Sequence, residues 1–355
     1  MTDTASQKPI MIYGATGYTG QLVAKEAARQ GENVILAGRN ADKVRAVAEP
    51  LGLPHRAFDL SDHQNIVSNI ADCAVVLHIA GPFSATSAPM VKACIEAKAH
   101  YLDITGEIAV FENCATQDQA AKDAGIMVMP GTGFDVIPSD CLAKYVGEQM
   151  PDATDLKIFI SGLGGASQGT MKSGVESLGK KTLVRRGGKI VETEYLSAQR
   201  DFGQGTKDCA AISWGDVSTA YYSTGIPDIE VYFEAQGPIA SMSKLGPVSR
   251  SVLRRKFVQN LLKKQIDKMP AGPTDEERAA GYTVLLGEAT NAKGEKFTAR
   301  LTTPDGYTLT MLSGLEVAKR ARAGEFNPGF QTPSNVYGAD FILDFDNTKR
   351  EIPNQ

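Results

Sequence analysis

Apolar runs and helical segments alternate regularly over the first third of this 355-residue chain. Six short apolar runs are predicted as strands, at residues 10–13, 33–37, 55–58, 74–79, 100–103 and 126–129. Helical spacing follows them at residues 21–30, 41–51, 62 onwards, 89–97 and 108–124. Strands that are apolar on both faces belong in a parallel sheet covered by helices. The alternation therefore predicts a doubly wound sheet with the six strands of a Rossmann domain.

The strand-to-helix turns of such a sheet meet at one edge, because right-handed crossovers place all strand carboxyl ends on the same side. These turns contain Gly14, Arg39, Asp59, Gly81, Thr105 and Gly131. We therefore expect a binding site along this edge. Ser61 is predicted to cap the helix that begins at Asp62.

The pattern changes after Pro138, where longer runs alternate apolar with polar residues. Strands are predicted at residues 155–161, 229–234, 282–289 and 296–303, with a hairpin turn at 291–295 and a helix at 308–323. Such alternation is typical of half-buried antiparallel strands. We predict a Rossmann domain over residues 1–137 and an α+β substrate domain over 138–333. A last helix at 334–343 would bring residues 334–355 back onto the first domain.

Composition is that of an ordinary globular protein, with 42% hydrophobic residues, 22% charged residues and a net charge of −4. Nucleic acid is not expected as a partner, because its binders carry a basic face. No apolar run is long enough to span a bilayer, and the first nine residues lack the apolar core of a signal peptide. We expect a cytoplasmic protein and allow for a homodimer.

Five cysteines are present, none in a C-x-x-C pair, so neither a disulfide framework nor a metal site is predicted. We expect the cysteines to be buried free thiols. The alternative is that one of them, Cys141, is a nucleophile. The four histidines show no metal spacing, and His78 lies in an apolar strand as a core histidine.

Three glycines follow the first strand at positions 14, 17 and 20, and a helix follows them. In this context the first glycine permits the sharp turn, the second admits a pyrophosphate to the backbone, and the third lets helix and strand approach. The alternative is a glycine-rich turn without a ligand. The residues predicted to contact the pyrophosphate are Gly14, Thr16, Gly17, Tyr18, Thr19 and Gly20.

Arg39 follows the second strand at the position where a dinucleotide-binding domain contacts the adenosine ribose. An acid there would bind the 2′-hydroxyl of NAD, whereas arginine suits the 2′-phosphate of NADP and stacks on adenine. Gly38, Asn40 and Lys43 are predicted to complete this part of an NADP site. Asp59 has two interpretations, an adenine contact or a cap for the following turn.

The later strand ends are predicted to surround the nicotinamide. Cofactor contacts are assigned to Ala80, Gly81, Pro82, Phe83, Thr105, Gly106 and Glu107. Glu107 has an alternative place in the first turn of a helix, where the helix dipole favours negative charge.

Asp135, after the sixth strand, is the acid best placed for substrate orientation or proton relay. Asp140 is expected to be structural, because Pro138 and Ser139 precede it in a helix start. Lys172 is a candidate acid for a carbonyl or enolate product, with solvent exposure as the alternative. The predicted substrate contacts are Phe134, Thr170 and Ser173.

Residues 250–268 contain seven Lys or Arg and one acid, interleaved with apolar residues at helical spacing. This pattern predicts an amphipathic basic helix. One interpretation is a solvated helix face, and the other is a peripheral contact with anionic lipid or an acidic partner.

Several of these segments together resemble the saccharopine dehydrogenase-like oxidoreductases, particularly the branch that includes trans-acting enoyl reductases. The most specific are Thr-Gly-Glu at 105–107 and Gly-Phe-Asp-Val-Ile-Pro-Ser-Asp at 133–140, and the others lie at 14–20, 37–39, 81–83, 101–104, 168–173 and 329–333. The resemblance covers nearly the whole chain and implies an NAD(P)-binding Rossmann domain, an α+β substrate domain and hydride transfer. Cys141 and the basic segment depart from the family pattern.

These features predict an NADPH-dependent oxidoreductase that transfers a hydride to or from a C=C, C=O or C=N group of a small molecule. An enoyl or keto group on a lipid-like or polyketide-like substrate is the first choice. The alternatives are an amino-acid imine reductase and a membrane-associated scaffold or sensor that binds NADP without turnover.

Overall fold

The structure, a computed structural model, describes residues 8–236 and 252–353. Within these ranges the chain divides into two compact units. The first comprises the described residues up to Ile137 together with Tyr307–Tyr337. The second comprises Pro138–Gly306 and the chain from Gly338 onwards. The returning segment is thus 307–337, and residues 338–353 lie in the second unit.

Strands and helices alternate from residue 10 to residue 129. The strands are β1 (Ile10–Tyr13), β2 (Val34–Gly38), β3 (His55–Ala57), β4 (Val75–His78), β5 (His100–Asp103) and β6 (Met127–Met129). The helices are α1 (Tyr18–Gln30), α2 (Ala41–Ala48), α3 (His63–Ile70), α4 (Phe83–Ala97), α5 (Ile108–Ala115) and α6 (Asp118–Ala124), with a 3-10 turn at Glu49–Leu51.

The middle of the chain contains most of the second unit. Its helices are α7 (Ile137–Gln149), α8 (Gln168–Ser177), α9 (Asp216–Thr224), α10 (Lys256–Ile266) and α11 (Asp275–Ala280). Its strands are β7 (Ala153–Ser161), β8 (Thr182–Arg186), β9 (Lys189–Thr193), β10 (Ser197–Asp201), β11 (Thr206–Ala211), β12 (Asp228–Glu234), β13 (Tyr282–Asn291) and β14 (Lys296–Pro304). The remaining elements are α12 (Gly306–Arg322), β15 (Gly329–Phe330), α13 (Pro333–Tyr337), a 3-10 turn at Phe341–Asp344, and β16 (Lys349–Glu351).

The first sheet has seven parallel strands in the order β15-β6-β5-β4-β1-β2-β3. Every residue of β1, β2 and β4 is buried, because helices cover both faces. The predicted Rossmann sheet is confirmed. The seventh strand was not predicted, because β15 is a pair of residues without an apolar run to mark it.

The second sheet is mixed and mostly antiparallel, as predicted. Its main path is β10-β11-β12-β7-β13-β14-β16, in which only β12 and β7 are parallel, and β8 pairs with β12 and β9. The predicted hairpin joins β13 to β14, with Gly294 at φ +82° in its turn.

Several predicted boundaries were wrong for local reasons. Asp62, not Ser61, caps α3, because its carboxylate accepts the N–H groups of Gln64 and Asn65. Helix α4 begins at Phe83, so Pro89 lies inside the helix and not at its start. The predicted helix 108–124 is two helices, separated at residues 116–117.

Larger differences lie in the second unit. Strands β8 to β11 and helix α9 were not predicted, because their polar and glycine-rich sequence gives little periodic signal. The predicted helix 334–343 is interrupted at Gly338, which has φ +83°, and β16 then pairs with β14. No helix within the described ranges is long and apolar enough to cross a bilayer.

Candidate functional site

The turn after β1 depends on two glycines for internal packing. Gly14 has φ +98°, and a Cβ atom there would lie 2.7 Å from the backbone nitrogen of Ala80. A Cβ atom on Gly20 would lie 2.3 Å from the carbonyl oxygen of Gly14. The β1 turn therefore touches the end of β4, and α1 packs directly against the turn.

Gly17 differs from these two glycines, because no contact with a residue of 8–236 or 252–353 requires a glycine there. Its φ of −76° suits any residue. Within the part of the chain that the structure describes, a Cβ atom there would meet only the Gly14 carbonyl oxygen, at an ordinary 3.5 Å. Gly17 is the N-cap of α1, yet no side chain caps this end and its first turn holds no acid. A helix start of this kind attracts an anion to its N–H groups. The missing side chain at Gly17 leaves room for one.

The first turn of α1 also meets a residue from the far end of the chain. Tyr18 packs edge-on against Tyr307 of α12, with ring centroids 5.1 Å apart. Gln21 donates from Nε2 to the carbonyl oxygen of Thr16 at 3.1 Å, which fixes the turn before Thr19. Tyr307 was not predicted, because almost 300 residues separate it from the glycine turn.

Arg39 is exposed directly after β2. Hydrogen bonds from Ser61 lower the pKa of the Asp59 carboxyl group, and the positive charge of Arg39 adds a smaller effect in the same direction. Arg39 therefore lies near Asp59. Burial raises the pKa of Tyr13 to about 12, and the charge of Arg39 partly opposes this rise. Arg39, Asp59 and Tyr13 thus share the end of the β1–β2–β3 edge, as the topology required.

Asp59 caps its own turn. Its Oδ1 accepts from the Ser61 N–H at 2.9 Å and from the Ser61 hydroxyl at 2.5 Å. The structure therefore shows the capping alternative, and an adenine contact by Asp59 stays a prediction.

Asn40, Lys43 and Gly38 make contacts at the start of α2. The Asn40 side chain caps α2 by accepting the Lys43 N–H at 3.0 Å. A Cβ atom on Gly38 would approach the Val44 side chain to 3.1 Å. Lys43 is exposed and follows Arg39 closely in the sequence. Of the three, Lys43 alone carries a charge, and its contact with a phosphate stays a prediction.

The loop from Ala80 to Phe83 is held by Thr86. The Thr86 hydroxyl lies 2.6 Å from the Ala80 carbonyl oxygen and 3.0 Å from that of Pro82. His78 Nε2 lies 2.9 Å from the same hydroxyl. Burial lowers the pKa of His78 to about 3, so the ring is neutral. Because the Thr86 hydroxyl hydrogen is directed to a carbonyl oxygen, Nε2 of His78 is the donor in its bond with Thr86. His78 is the predicted core histidine, and Phe83 packs edge-on against it.

Glu107 joins two of the predicted nicotinamide loops. Its carboxylate accepts the N–H of Phe83 at 3.0 Å and the N–H of Ser84 at 2.9 Å, at the start of α4. Its own N–H donates to the Thr105 hydroxyl at 3.0 Å. Glu107 therefore neutralises a helix N-terminus, as its alternative interpretation proposed, but the helix is α4 and not the one that follows it in sequence.

Replacing Glu107 with Gln should lower the free energy of unfolding by about 1 kcal/mol, the usual value of an N-terminal carboxylate cap. The amide retains one oxygen and brings an N–H group towards the second donor. Urea unfolding at neutral pH measures the change. The exposed Glu325→Gln is the matched control and should change stability by less than about 0.5 kcal/mol. Equal stability of the two variants would contradict the bridging role.

Asp103, at the end of β5, was not predicted as a site residue. Its buried carboxylate accepts from the Tyr101 hydroxyl at 2.7 Å and from the N–H groups of Thr105 and Gly131 at 2.9 Å. Burial nevertheless raises its pKa to about 6. Asp103 ties the loops after β5 and β6 together. A buried acid in an apolar strand was the available sequence signal.

Asp135, in the loop after β6, is half-buried beside Gly106, where a Cβ atom would lie 2.8 Å from its Oδ2. No donor among residues 8–236 and 252–353 hydrogen-bonds its carboxylate, and burial raises its pKa to about 7. The group can therefore hold or accept a proton near neutral pH. Neighbouring Phe134 is buried, with its N–H directed to the Thr310 hydroxyl at 2.9 Å.

Helix α12 supports the Asp135 loop. Besides the Thr310 contact, the Ser313 hydroxyl donates to the Thr132 carbonyl oxygen at 2.9 Å. A Cβ atom on Gly133 would lie 2.8 Å from the Thr310 methyl group. At its other end, Arg322 forms a buried ion pair with Glu32 at 2.5 Å. The sequence predicted α12 but not its place in the Rossmann unit.

The predicted residues of the second unit lie on α8. Ser167 caps this helix by accepting the Thr170 N–H at 3.2 Å. Lys172 forms an ion pair with Asp267 at 2.5 Å, so its ammonium already has a carboxylate partner. Ser173 is half-buried. Roles for Lys172 as an acid and for Thr170 and Ser173 as substrate contacts stay predictions.

All five cysteines are buried free thiols, as expected. Burial raises the pKa of Cys141 well above the ordinary value, which suppresses the thiolate. Asp140 is buried in the first turn of α7 and accepts the Ser223 hydroxyl, in the predicted structural role. No cluster of metal-binding side chains occurs in the part of the chain that the structure describes.

Comparison with known proteins agrees with this geometry. Residues 10–129 match the family model of the saccharopine dehydrogenase NADP binding domain. The match spans β1 to β6 and includes the glycine turn and Arg39. The family resemblance seen in the sequence and the predicted NADP-binding domain are both confirmed.

Two relatives come from mycobacteria. A Mycobacterium tuberculosis protein, named as a candidate trans-acting enoyl reductase, is 34% identical over 192 residues, or 50% of this chain and 46% of its own length. The trans-acting enoyl reductase of Mycobacterium bovis is 34% identical over 149 residues, or 39% of this chain and 35% of that protein. The matches thus cover less than half of these relatives' length.

Two solved structures share the fold along most of the chain. Yeast saccharopine dehydrogenase (L-Glu forming) matches with a TM-score of 0.66 and 16% identity, over 97% of this chain and all of the other. Homospermidine synthase from Legionella pneumophila, solved with NAD, matches with a TM-score of 0.66 and 10% identity, over 98% of this chain and 92% of the other. At these identities the likeness concerns the fold alone.

Proposed function

We propose that the protein is an NADPH-dependent oxidoreductase, because residues 10–129 match the family model of the saccharopine dehydrogenase NADP binding domain. The observation that carries the proposal is the carboxyl edge of the first sheet. An uncapped helix start with an unobstructed glycine lies there together with a half-buried acid whose pKa is about 7. The first supplies a place for a pyrophosphate, and the second a proton near neutral pH.

The residues of this edge fit NADPH. Gly17 and the first turn of α1 would hold the pyrophosphate, and Arg39 with Lys43 would face the adenosine 2′-phosphate. The loops that Glu107 and Asp103 fix would adjoin the nicotinamide. Bound NADPH would supply a hydride, and the protein would supply orientation and a proton.

Asp135 is proposed as the group that exchanges a proton with the substrate. A protonated carboxyl suits reduction, because the carbon or heteroatom that accumulates negative charge must be protonated. The absence of hydrogen-bond donors in the described ranges keeps the acid from being stabilised as a carboxylate. Phe134 and Thr310 would set its position through the backbone of its loop.

We propose an enoyl or keto group on a lipid-like or polyketide-like molecule as the substrate. Support comes from the names of the mycobacterial relatives, which denote trans-acting enoyl reductases. An amino-acid imine is the alternative, on the weaker ground of a shared fold with saccharopine dehydrogenase.

The substrate proposal can be tested by following NADPH oxidation with a short α,β-unsaturated acyl thioester, its β-keto analogue and a pyruvate–lysine imine mixture. We expect turnover with the enoyl thioester to exceed that with the imine mixture. Faster turnover of the imine mixture would reverse the choice. NADPH binding without turnover of any of the three would favour a nucleotide sensor.

Arg39→Ala should weaken NADPH binding about 10- to 100-fold and leave NADH binding within about threefold, because only NADPH carries the 2′-phosphate. Fluorescence titration of both cofactors measures the change. Arg45→Ala, on the exposed face of α2, is the matched control and should alter neither affinity. Tighter binding of NADH than NADPH by the wild-type protein would contradict the role given to Arg39.

A further inference from the structure

The second unit carries an exposed apolar surface that the proposed oxidoreductase activity does not use. Val252, Phe257 and Leu261 expose 45%, 75% and 50% of their surface. Phe257 and Leu261 are four residues apart on α10 and therefore share one face of this helix. Large apolar residues grouped in this way are uncommon on a soluble surface without a partner.

Positive charge surrounds this surface. Arg254, Arg255, Lys256 and Lys264 are all exposed. Arg254 is anchored, since its Nε donates to the carbonyl oxygen of Gly179 at 2.5 Å. The basic group occurs in a chain of net charge −4, so it is a local concentration and not a property of the whole protein.

The opposite side of α10 is held by α8. Ile266 is buried, and the ion pair between Lys172 and Asp267 joins the two helices. Gln168 adds two bonds, from its Nε2 to the Met269 carbonyl oxygen at 2.6 Å and from its N–H to the Ala271 carbonyl oxygen at 3.0 Å. The exposed face is therefore presented by a helix with fixed contacts on its other side.

We propose that this face of α10 docks the protein on a bilayer surface that contains anionic phospholipid. Phe257 and Leu261 would enter the interfacial region, and the Arg and Lys side chains around them would meet the lipid phosphates. A helix with protruding apolar side chains and flanking cations is the arrangement that lies in a membrane interface. The predicted segment 250–268 begins with two residues outside the described ranges, and the proposal uses only residues from 252 onwards.

The docking proposal goes beyond the proposed reaction and does not depend on it. The two are nevertheless compatible, because a lipid-like substrate partitions into the same membrane. Helix α8, which carries the predicted substrate contacts Thr170 and Ser173, is the helix against which α10 packs.

Co-sedimentation of the full chain with vesicles tests the proposal. Phosphatidylcholine vesicles with a phosphatidylglycerol fraction should bind the protein at least about 10-fold more strongly than pure phosphatidylcholine, and added salt should remove the difference. Phe257→Ser combined with Leu261→Ser should reduce binding about 10-fold. The matched control combines Leu343→Ser with Ile352→Ser, two residues that are 39% and 57% exposed elsewhere on this unit, and should bind as wild type.

A second pair of variants tests the charges. Lys256→Glu with Lys264→Glu should abolish the preference for anionic vesicles, whereas Lys189→Glu with Lys293→Glu, also exposed, should preserve most of it. NADPH titration of each variant, which is independent of vesicle binding, separates loss of docking from loss of folding and from failure of the proposed function. Equal binding to both vesicle types, or unchanged binding by the Phe257 and Leu261 variant, would overturn the proposal. So would retention on polyglutamate resin without vesicle binding, which would indicate an acidic protein partner.

Discussion

Gly17→Ala should leave the protein folded and weaken NADPH binding at least about 10-fold. Among the described residues, the new methyl group makes only an ordinary 3.5 Å contact, and the backbone angles of Gly17 suit alanine. We therefore expect a loss of stability below about 1 kcal/mol, the usual cost of alanine at an N-cap. The methyl group would instead occupy the space through which the pyrophosphate approaches the helix.

Gly20→Ala is the matched comparison, three residues later in the same motif. Its Cβ atom would lie 2.3 Å from the Gly14 carbonyl oxygen, so α1 would have to move away from the turn. We expect a stability loss of about 1–3 kcal/mol, typical of overpacking, together with loss of NADPH binding. Thermal unfolding and NADPH titration of both variants measure the two effects. Wild-type NADPH affinity in Gly17→Ala would show that no phosphate approaches this glycine.

Asp135→Asn should reduce kcat about 10²- to 10⁴-fold, the usual contribution of a general acid, and change the Kd for NADPH by less than about threefold. An amide cannot deliver a proton at neutral pH. In the direction of reduction the wild-type rate should fall as pH rises through about 7, where the carboxyl loses its proton. The pH profile of the variant should be flat in that range. Asp123→Asn, an exposed acid of α6, is the control and should retain the wild-type profile.

The same substitution has a second readout in stability. The folded pKa of Asp135, about 7, lies above its ordinary value of 3.8, so the folded protein binds a proton more tightly than the unfolded chain. The contribution of Asp135 to folding stability is most favourable below pH 4 and is lost as pH rises to 7. Asp135→Asn should therefore be more stable than wild type at pH 8, by about 1–3 kcal/mol, and lose this advantage towards pH 4. A stability difference that does not vary with pH would contradict the raised pKa.

Gly106→Ala offers an independent approach to the same acid. Its Cβ atom would lie 2.8 Å from the Asp135 Oδ2, and the carboxyl group would have to turn away. Both substitutions should thus lower kcat, although Gly106→Ala retains the ionisable group. A wild-type rate in Gly106→Ala would indicate that the position of the Asp135 carboxyl does not matter to the reaction.

Much of the first unit could be predicted from the sequence because its signals are local. The six apolar runs, the glycine turn and Arg39 each lie within a few residues of the element that they define, and the parallel topology then brings them to one edge. Asp135 was proposed as the acid in the same way, from its place after the sixth strand, and its role stays a prediction. In the second unit, polar strands such as β9 and β10 carry no such periodic signal.

The sequence by itself therefore determined the Rossmann sheet, the order of its turns and the candidate acid. Only the tertiary structure decided what supports them: Glu107 on the start of α4, Asp103 between two loops, and Thr310 under the Asp135 loop. The tertiary structure also showed that packing requires glycine at positions 14 and 20 but leaves room for a side chain at Gly17. The physical reason is that periodicity and turn propensity act between neighbours in the chain, whereas the partner of a hydrogen bond and the space beside a glycine are set by segments up to 290 residues away.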